Sequence, residues 1–143
     1  MLVTYSCGRK TSPIPPELVA PQALGRLTAA NASDGIMLSW ERPRQREAGT
    51  HLDDLGGFRV LRSTDSGPFE LVATLDVTDR DRFRQIQKFH YLDAGVTMDV
   101  TYRYSVRSAT LDGYVSEDSN VVTITREFPP RTTPTAVETA PSG

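Results

Sequence analysis

The chain has 143 residues, the length of one domain with some tens of residues left over around a sandwich of roughly 100 residues. A formal net charge of -2 and a sequence pI of about 5.7 exclude the strong global field that draws in nucleic acid or an anionic membrane surface. Its single cysteine, Cys7, excludes an intrachain disulfide, so the core has to hold together by packing.

The positive residues are divided unevenly, with lysine only at Lys10 and Lys88 and arginine scattered from Arg9 to Arg131. Scatter of this kind reads as codon preference rather than as a clustered site for bidentate contacts to carboxylate or phosphate. No apolar run approaches the roughly 20 residues of a membrane-spanning helix. Met1 to Ser6 is too short, and lacks the basic start, for a complete secretion signal.

From the amino terminus, Pro13, Pro15, Pro16 and Pro21 sit in a polar, mostly non-periodic stretch over residues 8–22, which reads as an extended lead-in, and residues 1–17 are set ahead of the domain. Leu24, Leu27 and Ala29 suggest a first strand. The cluster from Asn31 to Gly35 is a turn into Ile36, Leu38 and Trp40, which point to one face at period two and are expected in the core.

The polar run from Glu41 to Gly57 contains Pro43, Gly49, Gly56 and Gly57 and reads as a long loop. Phe58 and Val60, with Arg62 in phase, form the next strand, closed by the turn from Ser63 to Pro68. Phe69, Leu71 and Ala73 make another. The charged segment Asp76 to Lys88 has no apolar stripe and is expected to be an exposed loop, a short helix being the other option.

His90 to Asp93 then reads as a short strand and Thr101 to Thr110 as a long one, with Tyr102, Tyr104 and Val106 alternating. Asn120 to Arg126 is the last strand. The domain is thus expected over residues 18–128. The tail, residues 129–143, is rich in proline and threonine and has almost nothing to bury, so it is expected to stay disordered unless a partner holds it.

Four segments in this order resemble fibronectin type III domains over about residues 18 to 127. Ile36-Met-Leu-Ser-Trp40-Glu-Arg-Pro43 is similar to that family's second strand, with its buried tryptophan. Gly57 to Arg62 resembles the third strand, backed by Gly67 to Val72. Tyr91-Leu-Asp93 before Gly95, followed by Thr101 to Ala109, is similar to the approach to the sixth strand, and Gly113 to Thr125 to the last loop and strand.

The resemblance implies an all-β, immunoglobulin-like sandwich of two sheets. It makes Tyr102 the corner tyrosine, whose hydroxyl pins the crossover by a hydrogen bond to nearby backbone. It also implies a spacer or binding module rather than an enzyme, although a fold by itself never fixes a function. The long loop after Trp40 and the charged segment after Asp76 depart from the family, and no Arg-Gly-Asp tripeptide is present to support integrin-type adhesion.

At the front, Cys7-Gly-Arg-Lys-Thr-Ser-Pro-Ile-Pro-Pro16 resembles the start of small bacterial lipoproteins, in which a lipid-bearing cysteine precedes a proline-rich tether. Thr4 and Tyr5 depart from that pattern and no apolar region precedes them. Cys7 therefore has two readings, a lipid attachment site and a plain exposed thiol.

Catalytic patterns are missing from the sequence. His51 and His90 are the two histidines, and neither lies in a nucleophile motif. His51 with Asp53 and Asp54 matches a zinc site poorly, and Asp76, Asp79, Asp81 and Asp93 lack the glycine and terminal glutamate of a calcium loop. All of these read as solvated polar groups, and no cofactor is expected.

Trp40, Tyr102 and Tyr104 are assigned to the core. Phe83, Tyr114 and Phe128 are the freer aromatics, with the composition of interface anchors. The function expected is a non-catalytic scaffold or accessory subunit. It would contact other proteins in a larger membrane-associated assembly on the periplasmic side of a bacterial envelope, touching the membrane through a Cys7 lipid or through partner proteins. The alternative is a polysaccharide-binding or spacer module of a secreted enzyme or adhesin.

Overall fold

The computed structural model describes residues 19–24, 26–84 and 87–129. The amino-terminal lead-in with Cys7 and nearly all of the Pro/Thr-rich tail fall outside them.

Seven strands and one short helix make up the described elements: β1 (Thr28–Asn31), β2 (Ile36–Glu41), β3 (Leu55–Thr64), β4 (Phe69–Asp76), α1 (Asp79–Arg84), β5 (Lys88–Asp93), β6 (Thr101–Thr110) and β7 (Val122–Thr125). They form two antiparallel sheets, ordered β1-β2-β5 and β4-β3-β6-β7. The result is the all-β, two-sheet sandwich expected from the sequence.

Period-two alternation builds the core. In β2 the exposures are 0% for Ile36, 0% for Leu38 and 2% for Trp40, while Met37 and Ser39 on the other face are half-buried. Facing them from the second sheet are Phe58, Val60, Tyr102, Tyr104 and Val106, all buried. The Trp40 ring meets Phe58 edge-on at 5.3 Å between centroids, and Phe58 meets Phe89 at 4.8 Å, the separations at which aromatic pairs attract beyond their buried area.

Several expectations need correction. The first strand begins at Thr28, so Leu24 and Leu27 precede it, yet both are buried in the core. The stretch after Trp40 is no open loop. Backbone bridges pair Gln45 with His51 and Pro21 with Arg46, Leu52 and Leu55 are fully buried, and β3 starts three residues earlier than the alternation suggested. Gly56 and Gly57 lie inside that strand rather than breaking it. At Gly57 a Cβ would overlap the Leu75 carbonyl oxygen of β4, so here glycine is what lets the neighbouring backbone approach.

The charged segment forms α1 rather than a loop. Thr78 caps it, its Oγ1 accepting the Asp81 backbone N–H at 3.1 Å. Asp79 and Asp81 occupy the first turn and Arg82 and Arg84 the last, the arrangement a helix dipole favours. At the other end of the chain β7 is confined to Val122–Thr125, shorter than the expected Asn120 to Arg126, and Val121 just before it is 50% exposed.

Side chains close the sandwich where β1 and β7, in different sheets, run side by side. The Asn120 amide accepts the Leu27 N–H and donates to the Leu27 carbonyl, both at 3.0 Å. Asn31 donates from Nδ2 to the Thr125 carbonyl at 2.9 Å. Arg126, 5% exposed, donates to the carbonyls of Ala32, Ser33 and Gly35 and so clamps the turn between β1 and β2.

Candidate interaction surfaces and the inter-sheet polar cluster

A buried polar cluster around Asp93 bridges the sheets. Asp93, the last residue of β5, is 3% exposed, which corrects its reading as part of a solvated acidic face. Its carboxylate accepts from Arg62 Nη1 on β3, from the Tyr104 hydroxyl on β6 at 2.7 Å, and from the Gly95 N–H at 3.2 Å. Arg62 and Tyr104 are register partners on adjacent strands, so one row of the large sheet presents both donors to the end of the small one.

Electrostatics in this cluster follow from burial and from the Asp93 charge. Burial, then the hydrogen bond and negative charge of Asp93, push the Tyr104 phenol far above its ordinary range. For Arg62, burial alone favours loss of the proton, but the hydrogen bond and charge of Asp93 outweigh it and hold the guanidinium protonated more firmly than usual. Tyr104 was expected to belong mainly to packing, and it is fully buried, but its hydroxyl also completes an ionic cluster.

Tyr102 sits beside it, 3% exposed. Its hydroxyl accepts the Thr97 backbone N–H at 2.8 Å, and the Arg62 guanidinium lies 5.4 Å from its ring centroid. The bond ties the β5–β6 connection to the start of β6, as a corner tyrosine does.

The acidic residues near His51 are occupied by a cation: Arg46 Nη2 reaches Asp53 at 3.3 Å and Asp54 at 2.8 Å. Among the described residues no three His, Cys, Asp or Glu side chains gather as metal ligands. On the outer face of the small sheet Ser39 Oγ stands 3.1 Å from His90 Nδ1, a pairing the sequence reading missed because the two residues are 51 positions apart. The pair is exposed, and among the described residues no carboxylate is shown orienting the ring as a nucleophilic triad needs.

The freer aromatics do not form one patch. Phe83 on α1 is 87% exposed and Phe128 75%, with Tyr114 less so. Phe83 and Tyr114 lie at the end of the sandwich where β3 begins, since Val77 bonds Gly56 and Tyr114 bonds Thr110. Phe128 follows Arg126, which pairs with Val100 at the opposite end of β6, about 34 Å away along a ten-residue strand.

A second apolar surface was not foreseen. Phe69 is 38% and Leu71 56% exposed on β4, the outermost strand of its sheet. The register shifts between Val60 and Leu61: Val60 faces Ala73, but Leu61 faces Leu71. The extra residue turns Leu71 and Phe69 to the outer face while Ala73 and Leu75 still pack on the core. Arg103 lies over the Phe69 ring at 5.1 Å. Uniform alternation cannot reveal such a bulge, so no sequence signal marked these residues.

A sandwich of three and four antiparallel strands, with a tryptophan buried between the sheets and a tyrosine hydroxyl holding a crossover, places the chain in the immunoglobulin-like class. No protein-family model and no curated protein matches the sequence. Solved structures do. The chain is similar to an Fn3-like protein from Clostridium thermocellum, at 20% identity over 78% of this chain and 97% of that one, with a TM-score of 0.52. It is also similar to the sixth fibronectin type III domain of human fibronectin type III domain containing protein 3, at 15% identity over 80% and 92% of the two chains and a TM-score of 0.51. A third similarity is to part of a β-1,2-glucanase from Parabacteroides distasonis, at 21% identity over 82% of this chain but 15% of that one, with a TM-score of 0.51. The chain has the fibronectin type III fold.

Proposed function

We propose that this chain is a non-catalytic protein-interaction or scaffold module, an accessory subunit of a bacterial envelope-associated assembly. One observation carries the reading: Phe69 and Leu71 expose apolar surface on the outer face of β4, which is the outermost strand of its sheet. An outermost strand offers backbone donors and acceptors to an added strand, and the adjoining aromatic, aliphatic and arginine side chains have the composition of an interface core. The lipoprotein-like sequence around Cys7 supports the envelope location.

Affinity capture from solubilised envelope membranes tests the surface. The unaltered chain is expected to retain a defined set of proteins that Leu71→Lys loses, and equal retention by the two forms overturns the assignment. Cys7→Ser tests the anchor. Release from membranes with loss of an acyl mass at the amino terminus identifies a lipid, and unchanged membrane association assigns the attachment to protein contacts.

A second reading, a polysaccharide-binding or spacer module of a secreted enzyme or adhesin, draws on the similarity to part of a β-1,2-glucanase. It also draws on a depression of about 320 Å³ beside the Ser39–His90 pair, lined in part by Thr28, Glu41 and Lys88. Retention on an immobilised β-1,2-glucan, weakened by Ser39→Ala, selects this reading over protein docking.

A further inference from the structure

At the end of the sandwich where β3 begins, Arg42, Arg44 and Arg82 gather around a cavity of about 260 Å³ that also touches His51, Leu52 and Asp53. Arg42 directly follows β2, and its backbone N–H is bonded to the Gln87 carbonyl at 2.8 Å, so the side chain departs from a fixed point. Arg82 is fixed as well, donating from Nη1 to the carbonyls of Leu55 at 2.8 Å and Val77 at 3.0 Å.

The charges around the cavity are unbalanced. Arg82 is paired with Asp79, and Asp53, the carboxylate in the lining, is engaged by Arg46. Arg42 and Arg44 have no acidic partner among the described residues. Arg42 is 8% exposed, and its Nη1 is buried without an acceptor among the described residues. Proteins rarely leave a buried guanidinium nitrogen unsatisfied, because desolvating a charged donor costs free energy that only an acceptor returns. Burial, and then repulsion from Arg44 and Arg82, weaken the hold of Arg42 on its proton.

We propose that this pocket binds a phosphate group, held as a dianion between Arg42 and Arg44 against Arg82. Two uncompensated guanidinium groups match a charge of minus two. A carboxylate carries one charge, and its two oxygens lie in one plane, where they face one guanidinium fork squarely. A phosphate has three or more oxygens pointing apart and can take a fork from each arginine. The cavity lies at the small end of ligand-binding volumes, which fits inorganic phosphate or a compact phosphomonoester. The same group can arrive free in solution or as the headgroup of a lipid.

Inorganic phosphate titrated into the full chain at constant ionic strength, followed by amide chemical shifts, tests the site. Saturable binding is expected, with shifts centred on Arg42, Arg44 and Arg82. Arg44→Gln, at an exposed position, is expected to weaken it by about tenfold or more, and Arg42→Gln likewise, with thermal unfolding checking that this buried variant is folded. Arg59→Gln, on the exposed face of β3, leaves binding unchanged. Sedimentation with phosphatidylcholine vesicles, with and without phosphatidate, separates the sources. Co-sedimentation that needs phosphatidate and is lost in Arg44→Gln assigns the group to a headgroup, and binding of inorganic phosphate without co-sedimentation assigns it to a soluble ligand. The proposal is overturned if neither probe binds, or if Arg44→Gln binds both as well as the unaltered chain.

Discussion

Arg62 Nη1 reaches both carboxylate oxygens of Asp93, at 3.2 and 2.9 Å, across the space between the two sheets. Removing the cation leaves a carboxylate in an almost dry site, with the Tyr104 hydroxyl and the Gly95 N–H as its remaining donors. Arg62→Met is expected to lower stability by roughly 2 to 3 kcal/mol, below the usual cost of breaking a fully buried pair because the Arg62 side chain keeps some access to water. Urea denaturation decides it, and a loss under a few tenths shows that the pair holds nothing.

Tyr104 adds a pH dependence with a definite sign. Its phenol is raised in the folded state above the ordinary value of about 10. Above that value the unfolded chain gives up the proton while the folded one keeps it, so the stabilising contribution is complete below pH of about 10 and falls as pH rises through the folded value. Urea midpoints at neutral and strongly alkaline pH should therefore decline more steeply for the unaltered chain than for Tyr104→Phe. Parallel declines would remove the tyrosine from the effect.

Trp40 fills the space between the sheets against Phe58. Trp40→Ala is expected to cost about 3 to 5 kcal/mol, the range for large aromatic truncations in a packed core. Denaturant melts of the two forms measure the difference, and unchanged stability contradicts the register of β2.

Tyr102→Phe isolates one hydrogen bond. The Thr97 N–H loses its acceptor in a partly buried connection, and a cost of about 1 to 3 kcal/mol follows from leaving a donor unmet. Amide exchange supplies a second readout, in which Thr97 protection drops while β2 protection is retained.

What the sequence made legible was local. The strands holding Ile36, Leu38 and Trp40, and Tyr102, Tyr104 and Val106, show period two in consecutive residues, and that signal needs no knowledge of the partner strand. Proline and glycine punctuation hid Leu52 and Leu55, whose burial depends on a loop folding back by the Gln45–His51 bridge. The cap of α1 was readable in principle, from Thr78 three positions ahead of Asp81. Long-range relationships were not: Asp93 pairs with Arg62 and Asn120 with Leu27, and Arg42 lines one cavity with Arg82, each across dozens of positions, and nothing in either local sequence names the other. The outward turn of Leu71 depends on a single extra residue in β4, which alternation does not register.

The lacing of the first strand to the last has a mechanical consequence. Leu27 is bonded to Asn120 and Asn31 to Thr125, so β1 and β7 advance in the same direction along their contact. Chain arriving at Leu27 and chain leaving at Arg126 therefore depart from opposite ends of the laced pair. Tension drawn through the domain slides the two strands lengthwise and loads the Asn120, Asn31 and Arg126 bonds together rather than peeling them one after another. A fold strung in this way resists extension through side chains that belong to neither sheet's own ladder, and a module tethered at one end while its partner is pulled would yield at these three residues first.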